Sequence, residues 1–218
     1  MIKAIIFDFD GVILESAEIK TRAFRKLFEQ NYPGKVEAIV EYHCNNMGIS
    51  RYLKFGYIFE NILHLPLSKE LEEELGQRFS AIVYEEVLEA PFVPGALEFL
   101  AKNGGKYYIF VASGTPEEEL KSIMSQKRIS HLFREVHGSP KQKTSIIEDL
   151  LNRYALTNKE AVFVGDAESD RIASEKVAVN FIARITSENI QKFHDCPLKV
   201  NDLTAIDNVL LRLSQDSQ

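Results

Sequence analysis

A chain of 218 residues is long enough to bury a full core, as one large domain or as one domain with an insert. With 45% hydrophobic and 27% charged residues it has the composition of an ordinary soluble globular protein, which excludes a disordered chain. A net charge of -6 without any Lys/Arg-rich block argues against nucleic acid as a partner, and no apolar run reaches the roughly 18 residues of a membrane span.

The first predicted element is a strand over 4–7, apolar throughout as a buried parallel strand requires. It runs into Asp8-Phe9-Asp10-Gly11, two carboxylates at the carboxyl end of a strand, where α/β sheets bind ligands. Beside apolar neighbours such carboxylates are costly unless a cation neutralises them. Mg2+, which takes one or two carboxylates and a substrate phosphate, suits an all-oxygen site. An Asx-type turn places Asp and Gly at a strand end for backbone reasons alone, so the motif needs partners at other strand ends.

From 15 to 89 no strand pattern occurs. Helical periodicity covers 17–30, 36–42, 50–63 and 68–88, broken at Asn31-Tyr32-Pro33-Gly34 and Leu65-Pro66-Leu67. About 70 helical residues directly after a first strand exceed what a crossover connection needs. They read as a helical cap domain (15–89) over the carboxyl edge of a sheet, with 1–14 and 90–218 forming the core domain. In the cap, Arg51 and Lys54 lie one turn apart. They form either a solvated helix face or a contact for an anionic part of a ligand; His43 and His64 receive no assignment.

Strands and helices alternate after the cap. Strands are expected over 107–112, 135–137, 161–164, 180–185 and 199–200. Helices are expected over 95–102, from Thr115-Pro116-Glu117 onward, and over 143–154, 169–177, 187–194 and 202–213. The fold class is therefore α/β, a Rossmann-like parallel sheet core with the inserted helical cap. Cys44 and Cys196 form no ligand cluster and read as reduced thiols of a cytoplasmic protein, and no secretory signal is evident.

Three later strand ends carry chemistry. Ser113-Gly114-Thr115-Pro116 offers hydroxyls and N–H groups at a helix start, a phosphate receptor unless Ser and Thr only cap the helix. Gly138-Ser139-Pro140-Lys141-Gln142-Lys143 puts two lysines where the helix dipole favours anions, so one of them turns toward something negative. Lys143, deeper in the helix opening, is favoured, and Lys141 reads as solvated. Gly165-Asp166 brings an aspartate level with those of the first strand. Asp170, four residues on, either points into the same pocket or only stabilises its helix.

In these residues the chain resembles the haloacid dehalogenase-like hydrolase superfamily, in its phosphatase branch with a helical cap of the C1 type. The first motif matches Asp8, Asp10 and Gly11, the second Ser113, and the fourth Gly165, Asp166 and Asp170. The third matches Lys143 or Lys141, with Gly-Ser-Pro-x-x-Lys departing from the commoner Lys-Pro form. The resemblance runs from Ile2 to about Ile185 and implies a sheet order 5-4-1-2-3.

It also implies roles. Asp8 would be a nucleophile forming an aspartyl-phosphate, and Asp10 a general acid and then base. Gly11, Ser113, Gly114 and Lys143 would lie at the substrate phosphate, with Arg51 at the rest of the substrate. Mg2+ would sit on Asp8, the Asp10 carbonyl, Asp166 and Asp170. The dehalogenase branch uses no metal and needs no second aspartate, so Asp10 and the Asp166/Asp170 pair favour phosphoester hydrolysis. The phosphonate-cleaving branch needs a cap lysine, for which Lys20, Lys26, Lys35 and Lys54 are candidates. The implied protein is a cytoplasmic, Mg2+-dependent phosphatase of a small phosphorylated metabolite: a sugar phosphate, phosphoglycolate or a nucleotide-like ester. A phosphomutase on the same scaffold, or a non-catalytic phospho-acceptor or binding module, is the alternative. The expected partner is the small-molecule phosphate ester, with neither nucleic acid nor membrane.

Overall fold

Ala4–Phe7, four buried apolar residues, form β1, and their alternation assigns each to one side of the sheet. Ile5 and Phe7 pack into one apolar cluster, Ala4 and Ile6 into another. In the computed structural model, which describes residues 1–215, β1 pairs in parallel with β2 (Tyr108–Pro116) and with β4 (Ala161–Gly165). The sheet extends to β3 (Glu135–Ser139) on one edge and to β5 (Asn180–Arg184) and β6 (Lys199–Val200) on the other. Its order, β3-β2-β1-β4-β5-β6, is the expected one with β6 added at the β5 edge.

Register positions the site. Phe7 is level with Val111 and Val164, so Asp8, Ser113 and Asp166 all emerge just beyond one edge of the three central strands. Strand order reverses between β1 and β4, the place where such sheets open a crevice.

Between β1 and β2 the chain forms α1 (Ala17–Phe28), α2 (Val36–Asn45), α3 (Arg51–Tyr57), α4 (Lys69–Glu89) and α5 (Ala96–Asn103). α3 continues as a wide π turn over Ile58–Leu63 and stops at His64, which is left-handed (φ 54°). The first four helices close on Phe24, Phe28, Phe55, Phe59 and Phe79, all fully buried. Phe24 lies 4.9 Å from Phe79 and 5.9 Å from Phe55, centroid to centroid. The segments leading into and out of these helices run side by side: Val93 N–H donates to Ile13 O (3.0 Å) and Glu15 N–H to Pro91 O (3.0 Å). α6 (Glu117–Gln126), α7 (Lys143–Arg153), α8 (Glu168–Val177) and α9 (Ile206–Gln215) complete the fold. No helix among the described residues is long and apolar enough to cross a membrane.

Three sequence expectations are corrected. The helix expected over 187–194 is a run of turns. Asn189 explains this: its Oδ1 accepts from Thr186 N–H (2.7 Å), and its Nδ2 donates to Asp166 O (2.9 Å) and Arg184 O (3.0 Å). Such side-chain bonds to backbone compete with helical ones. α9 begins at Ile206 and not at 202, because Asp202 Oδ1 accepts from Thr204 N–H in a turn of its own (2.9 Å). Finally, β2 continues through Pro116, so Thr115 is a strand residue and caps no helix.

Candidate active site

Asp8 leaves β1 with its N–H donating to Val164 O (2.9 Å), and its Oδ1 accepts from Phe9 N–H (2.7 Å). Its other oxygen lies 2.9 Å from Lys143 Nζ, in a site where Asp8 is 2% exposed. Burial pushes the Asp8 carboxyl up to about 7; Lys143 opposes this, and Asp170 and Asp10 add to it.

Asp10 has a different environment. Its Oδ1 accepts from Ser16 Oγ (2.6 Å), and its Oδ2 accepts from Thr115 Oγ1 (2.9 Å) and pairs with the Lys20 ammonium. Burial would raise its carboxyl, but Lys20 and the two hydroxyls hold it below the ordinary carboxylate range. Asp8 and Asp10 are thus tuned apart by their neighbours, an arrangement typical of acid–base pairs.

Gly11, at φ 77°, makes the turn, and a Cβ there would collide with the Asp166 carboxylate. Its N–H is engaged by Leu14 O (2.7 Å), so Gly11 admits Asp166 to the site and has no N–H to offer a substrate phosphate, which corrects the sequence expectation. Ser113, buried, accepts from Thr115 N–H (3.2 Å) and lines the cavity with Gly114. A Cβ on Gly114 would lie 2.5 Å from Gly48 O, the close approach that brings the 47–49 loop over the site.

Of the two lysines, Lys143 is brought to the cluster and Lys141 is exposed. Lys143 Nζ lies 2.5 Å from Asp170 Oδ1 as well as near Asp8; burial would lower its pKa, but these carboxylates hold it above the ordinary lysine range. Asp170 is fully buried, and its Oδ2 accepts from Ala167 N–H (3.1 Å), so both its oxygens are engaged. The Asp166 carboxylate accepts no hydrogen bond from any described residue, and burial with Asp8 and Asp170 nearby pushes it well above the carboxylate range.

Asp8, Asp166 and Asp170 each contribute an oxygen to a cluster spanning no more than 4.8 Å. With all three carboxylates ionised, the one Lys143 ammonium would leave two negative charges, because Asp10 is balanced separately by Lys20 and Arg184 by Glu15. An all-oxygen set short of two positive charges fits a divalent hard cation. Such an ion would be held by Asp8, Asp166, Asp170 and the Asp10 carbonyl, where it would keep Asp8 ionised and polarise a phosphoryl oxygen.

Asp8, Asp10, Ser113, Thr115 and Asp166 floor a cavity of about 50 Å3 roofed by Lys20, Phe24, His43, Ile49, Arg51, Lys54 and Phe79. Neither Arg51 nor Lys54 is solvated (4% and 3% exposed). Arg51 is not free for a ligand anion, contrary to expectation. Its two terminal nitrogens bond Glu119 (2.6 and 3.0 Å), one also donates to Ser80 Oγ (2.7 Å), and the guanidinium lies 4.5 Å from the Phe79 ring centroid. Lys54 Nζ donates to His43 Nδ1 (3.1 Å), which leaves His43 Nε2 to donate to Thr21 Oγ1 (3.2 Å).

Sequence reasoning placed Thr115 at a phosphate receptor or helix cap, missed its bond to Asp10, and left Lys20 unranked. The signal for Thr115 was present: in an extended strand, residues 113 and 115 share a face.

The model of the family described as haloacid dehalogenase-like hydrolase matches residues 5–184. A phosphoglycolate phosphatase of Aliivibrio fischeri is 26% identical over 191 residues, covering 84% of this chain and 83% of that protein. Among solved structures, a predicted phosphoglycolate phosphatase from Haemophilus somnus superposes with a TM-score of 0.73 at 19% identity, covering 96% of this chain and 98% of the other. A β-phosphoglucomutase from Clostridium difficile superposes at 0.77 and 19% identity, covering 99% and 98%. With its motif residues gathered at one cavity and its length matched from the first strand to the fifth, the chain belongs to the haloacid dehalogenase-like hydrolases.

Proposed function

We propose that this phosphoric monoester hydrolase is a Mg2+-dependent phosphatase that releases phosphate from a small phosphorylated metabolite. One arrangement carries the reading: the buried Asp8 carboxylate, ion-paired to Lys143, opens on a covered cavity with Asp10 two residues on and Ser113 beside it. Asp8 attacks phosphorus in line, forming an aspartyl-phosphate and expelling an alkoxide. Asp10 gives that alkoxide its proton, then takes one from the water that hydrolyses the aspartyl-phosphate. Lys20, Ser16 and Thr115 keep Asp10 ionised in the free enzyme. The arriving dianionic ester raises its pKa and so loads it with the proton the leaving group needs. Ser113 and Lys143 hold the equatorial oxygens as charge develops. Asp170, besides offering an oxygen to the cation, fixes Lys143 in place.

The same reading divides the chain into a core (1–14 and 90–218) and a cap (15–89), joined through the paired segments 13–15 and 91–93. The cavity holds on the order of three or four waters, so a substrate enters as the cap lifts and is enclosed as it returns. Two free cysteines accord with a cytoplasmic enzyme.

A panel of metabolite phosphates, assayed with and without Mg2+ beside Asp8→Asn, tests this. The expected result is Mg2+-dependent phosphate release that falls by about 10³-fold or more in the variant. Transfer between sugar phosphates without net release would favour the phosphomutase alternative. The relatives make phosphoglycolate the first substrate to try.

A further inference from the structure

Among the described residues, each cation at or beside the cavity has an acid, with one exception. Lys20 faces Asp10, Arg51 faces Glu119, and Lys143 faces Asp8 and Asp170. Lys54, 3% exposed, meets only the neutral nitrogen of His43 and, 5.3 Å away, the Phe24 ring. A buried ammonium without a counter-ion costs several kcal/mol, and an apolar side chain of similar volume would pack there without that cost.

We propose that Lys54, seated on His43, binds a carboxylate on the leaving part of the substrate, which makes the substrate class phosphomonoesters of short hydroxy acids. The inference rests on the phosphatase reading and narrows it. An ammonium has three N–H donors, and His43 takes one. The two that remain match the two oxygens of a carboxylate, in a charge-assisted contact. His43 is suited to orient the amine: it is anchored through Nε2 on Thr21, and being uncharged it leaves the lysine's charge uncancelled. An acid in its place would occupy Lys54 permanently, as Glu119 occupies Arg51. The Phe24 and Phe79 rings keep the surroundings apolar, so the contact forms away from water, where it is strongest. The narrowness of the cavity, with Asp8 and Lys54 both on its wall, restricts the class to short chains.

The test is calorimetric titration of Asp8→Asn protein, with Mg2+ present, by phosphoglycolate and by hydroxyethyl phosphate, which replaces the carboxylate with a neutral hydroxymethyl group. The expected result is a preference for phosphoglycolate of about tenfold or more, lost when Lys54→Met is added. Retained binding of hydroxyethyl phosphate shows that the variant is folded, and Lys54→Gln provides a second neutral replacement. A preference that survives both substitutions, or that is absent with Lys54 in place, overturns the inference. Failure of the phosphatase reading looks different: the carboxylate preference holds, yet the parent enzyme releases phosphate from neither ester.

Discussion

Arg51 of α3 and Glu119 of α6 form a buried ion pair between the inserted helices and the sheet domain, 2.6 Å at its shorter contact and 4% and 10% exposed. Ser80 of α4 bonds both partners. Removing one member of such a pair leaves the other charge buried and alone, which costs about 3–5 kcal/mol. Glu119→Leu is therefore expected to lower stability by about that amount in denaturant unfolding. The double variant Glu119→Leu/Arg51→Met is expected to recover most of the loss, and additive losses would contradict the pairing.

In the proposed mechanism Asp10 and Lys20 set the acid–base balance. Asp10→Asn is expected to lower kcat by about 10²–10⁴-fold. Lys20→Met removes the charge that depresses the Asp10 pKa, so the basic limb of the kcat/KM profile, where the general acid loses its proton, moves to higher pH. An unmoved limb in the Lys20 variant would show that the lysine does not tune Asp10.

Burial also fixes how stability depends on pH around Lys54, which faces His43 and Cys44 of α2, Lys20 of α1, Arg51 of its own helix and Lys143 of α7. Its pKa falls to about 7 in the folded protein from 10.5, so between these values the unfolded chain binds the extra proton. Folding stability must then rise with pH from about 7 to 10.5. His43, held near 2 by burial and by the Lys54 and Lys20 charges, gives the same sign between 2 and 6.5. Lys54→Met is expected to stabilise the protein by on the order of 3 kcal/mol at neutral pH and to abolish the alkaline rise in thermal melts.

The carboxylate cluster has the opposite sign. Asp8 is raised to about 7 in the metal-free fold from 3.8, so the folded state binds more protons there and stability falls as pH climbs between those values. Mg2+ is expected to reverse that fall and to raise Tm, with about 2.7 kcal/mol of stabilisation at a hundredfold excess over Kd. Asp166→Asn is expected to remove the Mg2+-dependent shift while leaving a folded protein, as followed by scanning calorimetry.

The strand ends were legible because each motif lies within a few residues of chain and the sheet aligns those ends. Asp8, Ser113, Lys143, Asp166 and Asp170 needed only local pattern and the parallel register. What local pattern could not supply were contacts fixed by the helices folding back. Lys20 and Asp10 meet Thr115 across 95 and 105 residues, and Arg51 is taken from the ligand by Glu119, 68 residues away. Arg51 and Lys54 are equivalent in sequence terms, two cations one turn apart. Only the third dimension shows that one is paired and the other is not.

The central claim is that Asp8 itself takes the phosphoryl group, and acid-quenched single-turnover reactions followed by peptide mass spectrometry test it most directly. With Mg2+ and phosphoglycolate, the account predicts a transient phosphate adduct on Asp8 in the parent and none in Asp8→Asn. An adduct on another residue, or undiminished phosphate release by the variant, would contradict it.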